Sequence, residues 1–452
     1  MSACEAALSK ARNLKINECE AFFAERKIIT IRITDSEIAE IKQNQEKSLA
    51  IRIIHQKRIG SAKTTDMDLI PQVIESALKS TKFVKPKNYW KNLPFPSRFS
   101  TIEKLYDKKL ADISGVQASD IAQEMINSSV HQKISKISGS LNVVSEKIEI
   151  ANTNGLNYSD KATYIIGNIN TDSTQGNSPV SGVGSSCSRT MKGFSPSTVG
   201  KDAAEMCVNS LNPHGCEPGT YDIIFEPYAI GEMLAFVFSS NFNLKIYSEK
   251  RSCFYDKLGK MISSEDFSLI DDPHYPEGIG SKPFDDEGMP TKQRALIDSG
   301  IFTNTFSDLF HAFKEGIESS GNASRPGYPA GRSAQPIPFP SPHNLRIKAN
   351  DNSKDEIIKD TKKGLLVGRL WYTYAVNPER GDFSCTARSG IRIIENGIIT
   401  KPGKSVRIVH NLPVLLQNIA AVGNDVKTVI HWHSLPTITP SVKVGAINVI
   451  PI

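Results

Sequence analysis

His431 and His433 carry the clearest potential for metal chemistry in this chain. Two imidazoles one residue apart project from the same face of a strand. With a carboxylate from Glu226 or Glu232 they would make a donor set suited to a divalent transition metal. The same pair serves equally well as polar lining, and no neighbouring residue is an obvious general base for activating a bound water. The cysteines, Cys4, Cys19, Cys187, Cys207, Cys216, Cys253 and Cys385, are odd in number and include no Cys-x-x-Cys pair. They lack the spacing of a zinc knuckle or a dithiol redox motif and read as reduced thiols acting as small buried hydrophobes. Gly176, Gly182 and Gly184 lie in Ser173 to Cys187 with no following Lys-Ser or Lys-Thr, so the stretch is expected to be a mobile edge loop rather than a phosphate cradle. No Gly-x-Ser-x-Gly elbow follows a strand, which sets aside a Ser–His–Asp hydrolase.

Positioning any of these groups requires a substantial fold, and 452 residues supply one. At ~100–200 residues per domain the length corresponds to two to four domains. Apolar residues at 39% and charged residues at 23% are globular values that exclude a largely disordered chain, a collagenous repeat or a coiled-coil rod. Lys and Arg outnumber Asp and Glu by 54 to 48, a formal charge of +6, but clusters as modest as Lys362-Lys363 are not the concentrated stripes that nucleic acid selects. The N-terminal run is broken by polar residues, and the longest apolar stretch, Ala229 to Phe238, is half the ~20 residues of a membrane span. A soluble, cytoplasmic protein with no membrane contact is expected.

The first segment predicts strands over Glu18 to Lys27, Thr30 to Ile41 and Leu49 to Lys57, then a helix over Met67 to Lys79 capped by Thr65 or Asp66. A loop rich in Pro and Lys, Pro86 to Pro96, precedes a helix over Gln117 to Lys133, strands over Ser138 to Asn152 and Lys161 to Thr171, and a helix over Lys201 to Leu211. The turn formers from Asn212 to Thr220 mark a boundary. The chain is therefore expected to be α+β in two parts. An N-terminal α+β domain spans 1–218, itself divisible into 1–85 and 98–218, and a strand-rich domain spans 219–452. The latter holds one buried apolar helix from Tyr228 to Ser240.

Short motifs punctuate this second part: Phe284-Asp-Asp-Glu-Gly-Met-Pro-Thr, Ser320-Gly-Asn-Ala-Ser-Arg, His343-Asn-Leu-Arg-Ile, Lys363-Gly-Leu-Leu-Val, Asn377-Pro-Glu-Arg-Gly-Asp-Phe-Ser, Ile394-Glu-Asn-Gly-Ile and Ala421-Val-Gly-Asn-Asp. Locally, Asp286-Glu-Gly-Met-Pro and Glu395-Asn-Gly-Ile read as hairpin turns. The polar loop with Asn322 and Arg325, followed by the proline-rich run Pro326 to Pro342, cannot continue a ladder strand and is expected to be either a plain loop or the lining of a groove.

In this order the motifs resemble the TldD/PmbA (TldD/TldE) family of metallopeptidase-related proteins. The resemblance implies a His-Glu-x-x-x-His zinc motif on the apolar helix of the active branch, with a cysteine near the C-terminus as a further ligand; two imidazoles and a thiolate leave an open position for water. Here the segment reads Pro227-Tyr228-Ala229-Ile230-Gly231-Glu232, which puts Pro227 and Tyr228 at the first His and the Glu, and Glu232 at the second His. No Cys follows Cys385. The resemblance thus implies the PmbA/TldE-like branch: a non-catalytic subunit without zinc of its own, paired with a TldD-like zinc-bearing paralogue and acting on unfolded peptide. Pro227, Tyr228, Glu232, His431 and His433, with Asn322 and Arg325, are then expected to line a cleft or subunit interface. The alternatives are a self-sufficient metallopeptidase built on Glu226, Glu232, His431 and His433, or a regulator of the kind the family's older label, modulator of DNA gyrase, suggests.

Overall fold

The computed structural model describes residues 2–431 and 435–452. The N-terminal half begins with helix α1 (Ala3–Asn13), whose Ser2 and Glu5 form a capping box. Strands β1 (Glu18–Thr34) and β2 (Glu37–His55) follow as one long hairpin. Its turn falls at Asp35 and Ser36, both with positive φ (54° and 67°), the geometry of a two-residue hairpin loop. The segment expected as a strand over Thr30 to Ile41 is therefore two strands and a turn, a break that carries neither Gly nor Asn to announce it.

After β3 (Arg58–Thr64), Asp66 caps a short helical turn leading into α2 (Ile70–Ser80). Helix α3 (Gly115–Ser129), strands β4 (Lys136–Asn152), β5 (Asn157–Ser173) and β6 (Val180–Ser188), and helix α4 (Pro196–Val208) complete the half. The sheet is antiparallel throughout, ordered β3-β2-β1-β4-β5-β6. Strand β6 corrects the edge loop expected over Ser173 to Cys187. Its glycines let α4 lie directly on the strand, and a Cβ on Gly184 would stand 2.0 Å from the Val199 carbonyl oxygen.

Period-two alternation along β1 gives the sheet two apolar faces. Cys19 and Ala21 pack with α1 and α2, and Ile29, Ile31 and Ile33 with α3 and α4. Phe22 and Ala24 point the other way, against Phe284 and Ala334, and Ile28 against Ile279 and Ala330. The second face is thus covered by the C-terminal half.

That half is strand-rich. Strand β7 (Gly219–Phe225), Val442–Pro451, Val406–Asn411, Asp382–Glu395 and Lys363–Asn377 pair in a ring, since Lys363–Asn377 bonds both β7 and Asp382–Glu395. Its core, with Phe225, Leu234, Phe238, Phe302 and Phe383 among its residues, is continuous. A second sheet runs Ile301–Phe302, Arg294–Asp298, Leu269–Asp271, Leu345–Ile347, Pro436–Thr439 and Lys427–Ile430. The expected turns form: Gly288 has φ +86°, and Asn396-Gly397 (φ 51° and 79°) join two paired strands. Among the described residues no helix is long and apolar enough to cross a membrane.

Candidate functional site

The apolar helix starts where buried β7 ends. Glu226 is extended, and Pro227 sits in the first turn, where its missing N–H costs nothing. Helix α5 (Pro227–Met233) runs on into a π-helical turn, Leu234–Phe238, and a 3₁₀ turn, Ser239–Phe242. The helical run expected over Tyr228 to Ser240 is present, and it is locally widened as π-turns in helices are. Ala229, Ile230, Met233 and Leu234 are buried in the C-terminal core. Gly231 is fixed by close approach, because a Cβ there would lie 2.6 Å from both Thr437 Oγ1 and Val429 Cγ2 of the neighbouring hairpin.

That hairpin brings His431 to the helix. The Tyr228 and His431 rings meet edge to face with centroids 4.2 Å apart. His431 Nδ1 is 3.9 Å from Glu232 Oε2, and Thr373 Oγ1 donates to Glu232 Oε1 at 2.6 Å. Thr439 Oγ1 donates to the Pro227 carbonyl at 2.9 Å. Three residues expected at the site, Tyr228, Glu232 and His431, are thus together, with Pro227 at the edge. His433 lies outside the described residues.

Burial sets the chemistry of this group. It pushes the Glu232 carboxyl up to about 7, against the Thr373 hydrogen bond and the Arg369 charge, which pull it down. It pushes the Tyr228 phenol up to about 12. Burial, then the Arg369 charge, pushes the His431 imidazole down to about 3. At neutral pH the cluster therefore holds a neutral imidazole, a protonated phenol and a carboxyl divided between its two states. Nearby, burial and then the Glu232 charge hold the Cys385 thiol well above its ordinary value, so it is no ready thiolate.

Glu226 belongs to a different setting. It pairs with Lys354 (2.9 Å) and Arg392 (3.4 Å) and, with Pro227 and Tyr228, borders a cavity of about 260 Å³ that β6 and α4 also wall. Asn322 and Arg325 are not brought to this cavity; both are buried, at 2% and 0% exposure. Asn322 Nδ2 donates to Asp271 (2.6 Å), and Arg325 bonds Glu20 of β1 (2.5 Å) and the Asp286 carbonyl (2.8 Å). The Arg325–Glu20 ion pair ties this loop to the N-terminal sheet, and the proline-rich run that follows walls a different cavity, with Pro326, Arg332, Phe339 and Pro342. Arg369 and Thr373 complete the Tyr228 cluster without having been singled out in the sequence. The signal for Arg369 was a lone cation inside the apolar strand run Leu365 to Trp371.

A zinc ion, which the family resemblance implies for its active members, does not fit the donors that the described residues supply here, one carboxylate from Glu232 and one imidazole from His431. Among the described residues no group of three or more His, Cys, Asp or Glu side chains is arranged to hold a metal. The Arg369 guanidinium also bears on Tyr228, Glu232 and His431, opposing a second cation there.

The chain matches three family models: the PmbA/TldA metallopeptidase domain 1 over residues 19–81, the central domain over 108–211 and the C-terminal domain over 218–451. The last alone covers more than half of the chain. The chain belongs to the PmbA/TldD metallopeptidase family. Within that family it is 24% identical over 445 residues to the metalloprotease PmbA of Escherichia coli O157:H7, covering 92% of this chain and 90% of that one. A metalloprotease of Methanothermobacter thermautotrophicus is 31% identical over 230 residues, 50% of this chain and 48% of its own. The crystal structure of TldE from Thermococcus kodakarensis shares the fold with a TM-score of 0.89 at 23% identity, over 99% of this chain and 100% of that one. A Thermotoga maritima structure described as a modulator of a DNA gyrase gives 0.88 at 22%, over 99% of each chain.

Proposed function

We propose that this PmbA/TldD-family chain is a TldE-type subunit of a metallopeptidase that acts on unfolded peptide. In this reading it shapes the substrate space, while a TldD-like paralogue supplies the zinc. One observation carries the reading: the positions of the family's zinc motif hold Pro227, Tyr228 and Glu232, packed with a neutral His431 under the field of Arg369. A hydrolytic zinc site needs three protein ligands, an open position and a base. Here the phenol stays protonated and the carboxyl is held by Thr373. The alternative metal set that includes Glu226 is disfavoured by that residue's two ion pairs. The regulator reading has mild basicity as its sequence support, which the dispersed charge does not strengthen.

The test replaces Tyr228 and Glu232 together by Phe and Gln in a complex with a zinc-bearing paralogue. Peptidase activity within roughly tenfold of the unaltered complex, at most ~1.4 kcal/mol in barrier, is expected. A loss of several thousandfold with the complex intact would make these residues catalytic and end the proposal.

A further inference from the structure

A second cavity, of about 250 Å³, lies where the two halves meet, walled by Tyr164 and Arg189 from the N-terminal half and by Arg332, Phe339, His343 and Leu435 from the other. Three of its wall residues are more than nine-tenths buried and each keeps one nitrogen without a hydrogen-bond partner among the described residues: Arg189 Nη1, Arg332 Nη1 and His343 Nε2. Such orphaned buried groups are rare unless something fills the space they face.

Their other atoms are fully engaged, which fixes their positions. Arg189 donates from Nε to the Gly278 carbonyl (2.9 Å) and from Nη2 to the Ser281 carbonyl (2.6 Å), and its guanidinium lies 4.1 Å from the Tyr164 ring centroid. Arg332 pairs with Glu146 (2.8 Å) and Asp160 (2.6 Å). His343 Nδ1 is 3.0 Å from Asp271 Oδ2 and 3.1 Å from Asn322 Nδ2. Its Nε2 donates in one tautomer of the ring and accepts in the other.

The carboxylates are unevenly shared. Arg332 has two, Glu146 and Asp160, His343 has Asp271, and Lys282, also on the wall, pairs with Asp286 at 3.1 Å. Arg189, 2% exposed, has carbonyls and a ring around it but no carboxylate within ion-pair distance among the described residues. A buried guanidinium without a counter-charge is unfavourable unless an anion joins it. Ile279, Phe339, Pro342 and Leu435 give the wall an apolar part beside the hydroxyl-bearing Ser281, Ser324 and Ser341, a mixed surrounding that suits an anion carrying an aliphatic group.

We propose that this cavity binds a carboxylate bearing an apolar side chain, with Arg189 as its counter-ion and Arg332 and His343 as further polar contacts. The source that suits it is the C-terminal residue of a peptide, an assignment that rests on the peptide-holding role proposed above. Charge-assisted donation from Arg189 Nη1 and Arg332 Nη1, one free nitrogen on each arginine, supplies the selectivity for acid over amide.

The experiment is calorimetric titration of the full chain, without a partner, using N-acetyl-leucine, N-acetyl-leucinamide and inorganic phosphate. The acid is expected to bind saturably at one per chain, the amide at least about tenfold more weakly, and phosphate not detectably. Arg189→Met should weaken the acid at least about tenfold, with folding checked by circular dichroism. Should that variant fail to fold, the acid and amide comparison on the unaltered chain decides alone. Equal binding of acid and amide, binding of phosphate in place of the acid, no binding of either, or unchanged affinity in folded Arg189→Met each overturns the proposal. None of these outcomes bears on the Tyr228 and Glu232 test, so the two readings fail separately.

Discussion

Replacing Arg325 by Met should destabilise the whole chain, because this side chain joins the halves across a buried contact. Its Nη2 stands 2.5 Å from Glu20 Oε1, its Nη1 donates to the Asp286 carbonyl, and its guanidinium lies 4.5 Å from the Phe22 ring centroid. Both partners of the ion pair are at 1% side-chain exposure. Glu20 also bonds Arg52 at 2.6 Å, and Arg52 bonds Glu287 at 2.6 Å. The Arg52 and Arg325 charges keep the Glu20 carboxyl below its ordinary value against the opposing effect of burial. Removing Arg325 leaves Glu20 with one cation that it shares with Glu287. Breaking a buried pair from one side costs about 3–5 kcal/mol, chiefly from the charge left behind. Neutralising that charge should recover part of the loss, so Glu20→Gln combined with Arg325→Met should be less damaging than the sum of the two changes by ~0.5–3 kcal/mol. The assay is urea titration of the four proteins followed by circular dichroism. A cost below about 1 kcal/mol for Arg325→Met, or strict additivity, would refute the description of this loop as a charged clasp.

Leu234→Ala, at a fully buried position where the helix widens, should cost ~2–5 kcal/mol in the same titration, and unchanged stability would contradict its place in the core. Glu232 gives a pH dependence of defined sign. Its folded pKa, about 7, lies above the ordinary 4.5, so its contribution to stability is fully present below pH ~4.5 and is lost as pH rises through about 7. The loss amounts to at most about 3 kcal/mol. Glu232→Gln should remove that slope, and a stability difference between the two proteins that stays flat from pH 4.5 to 8 would contradict the buried, desolvated carboxyl.

The architecture was legible where one physical signal dominated. Alternation along β4 and β5 and the apolar run after Pro227 gave strands and helix within a few residues. Local pattern failed where the deciding contact was distant. The Asp35-Ser36 turn is set by pairing between long strands of similar composition. Glycines that suggested a loop before Cys187 instead admit α4 against β6. Arg325 reads as a polar loop residue until Glu20, far away in sequence, is folded against it. At the site, the substitutions at Pro227, Tyr228 and Glu232 were visible because they depart from a motif. Thr373 and Arg369, on a separate strand, had no local spacing to tie them to the helix.

The central claim is that this chain has no zinc chemistry of its own, and metal content tests it most directly. The chain purified alone, dialysed and measured by elemental analysis, should contain no stoichiometric zinc, because its helix offers Pro227, Tyr228 and Glu232 in place of two imidazoles and a base. Near one zinc per chain, lost when His431 and His433 are replaced together, would contradict the claim and establish a rebuilt metal site.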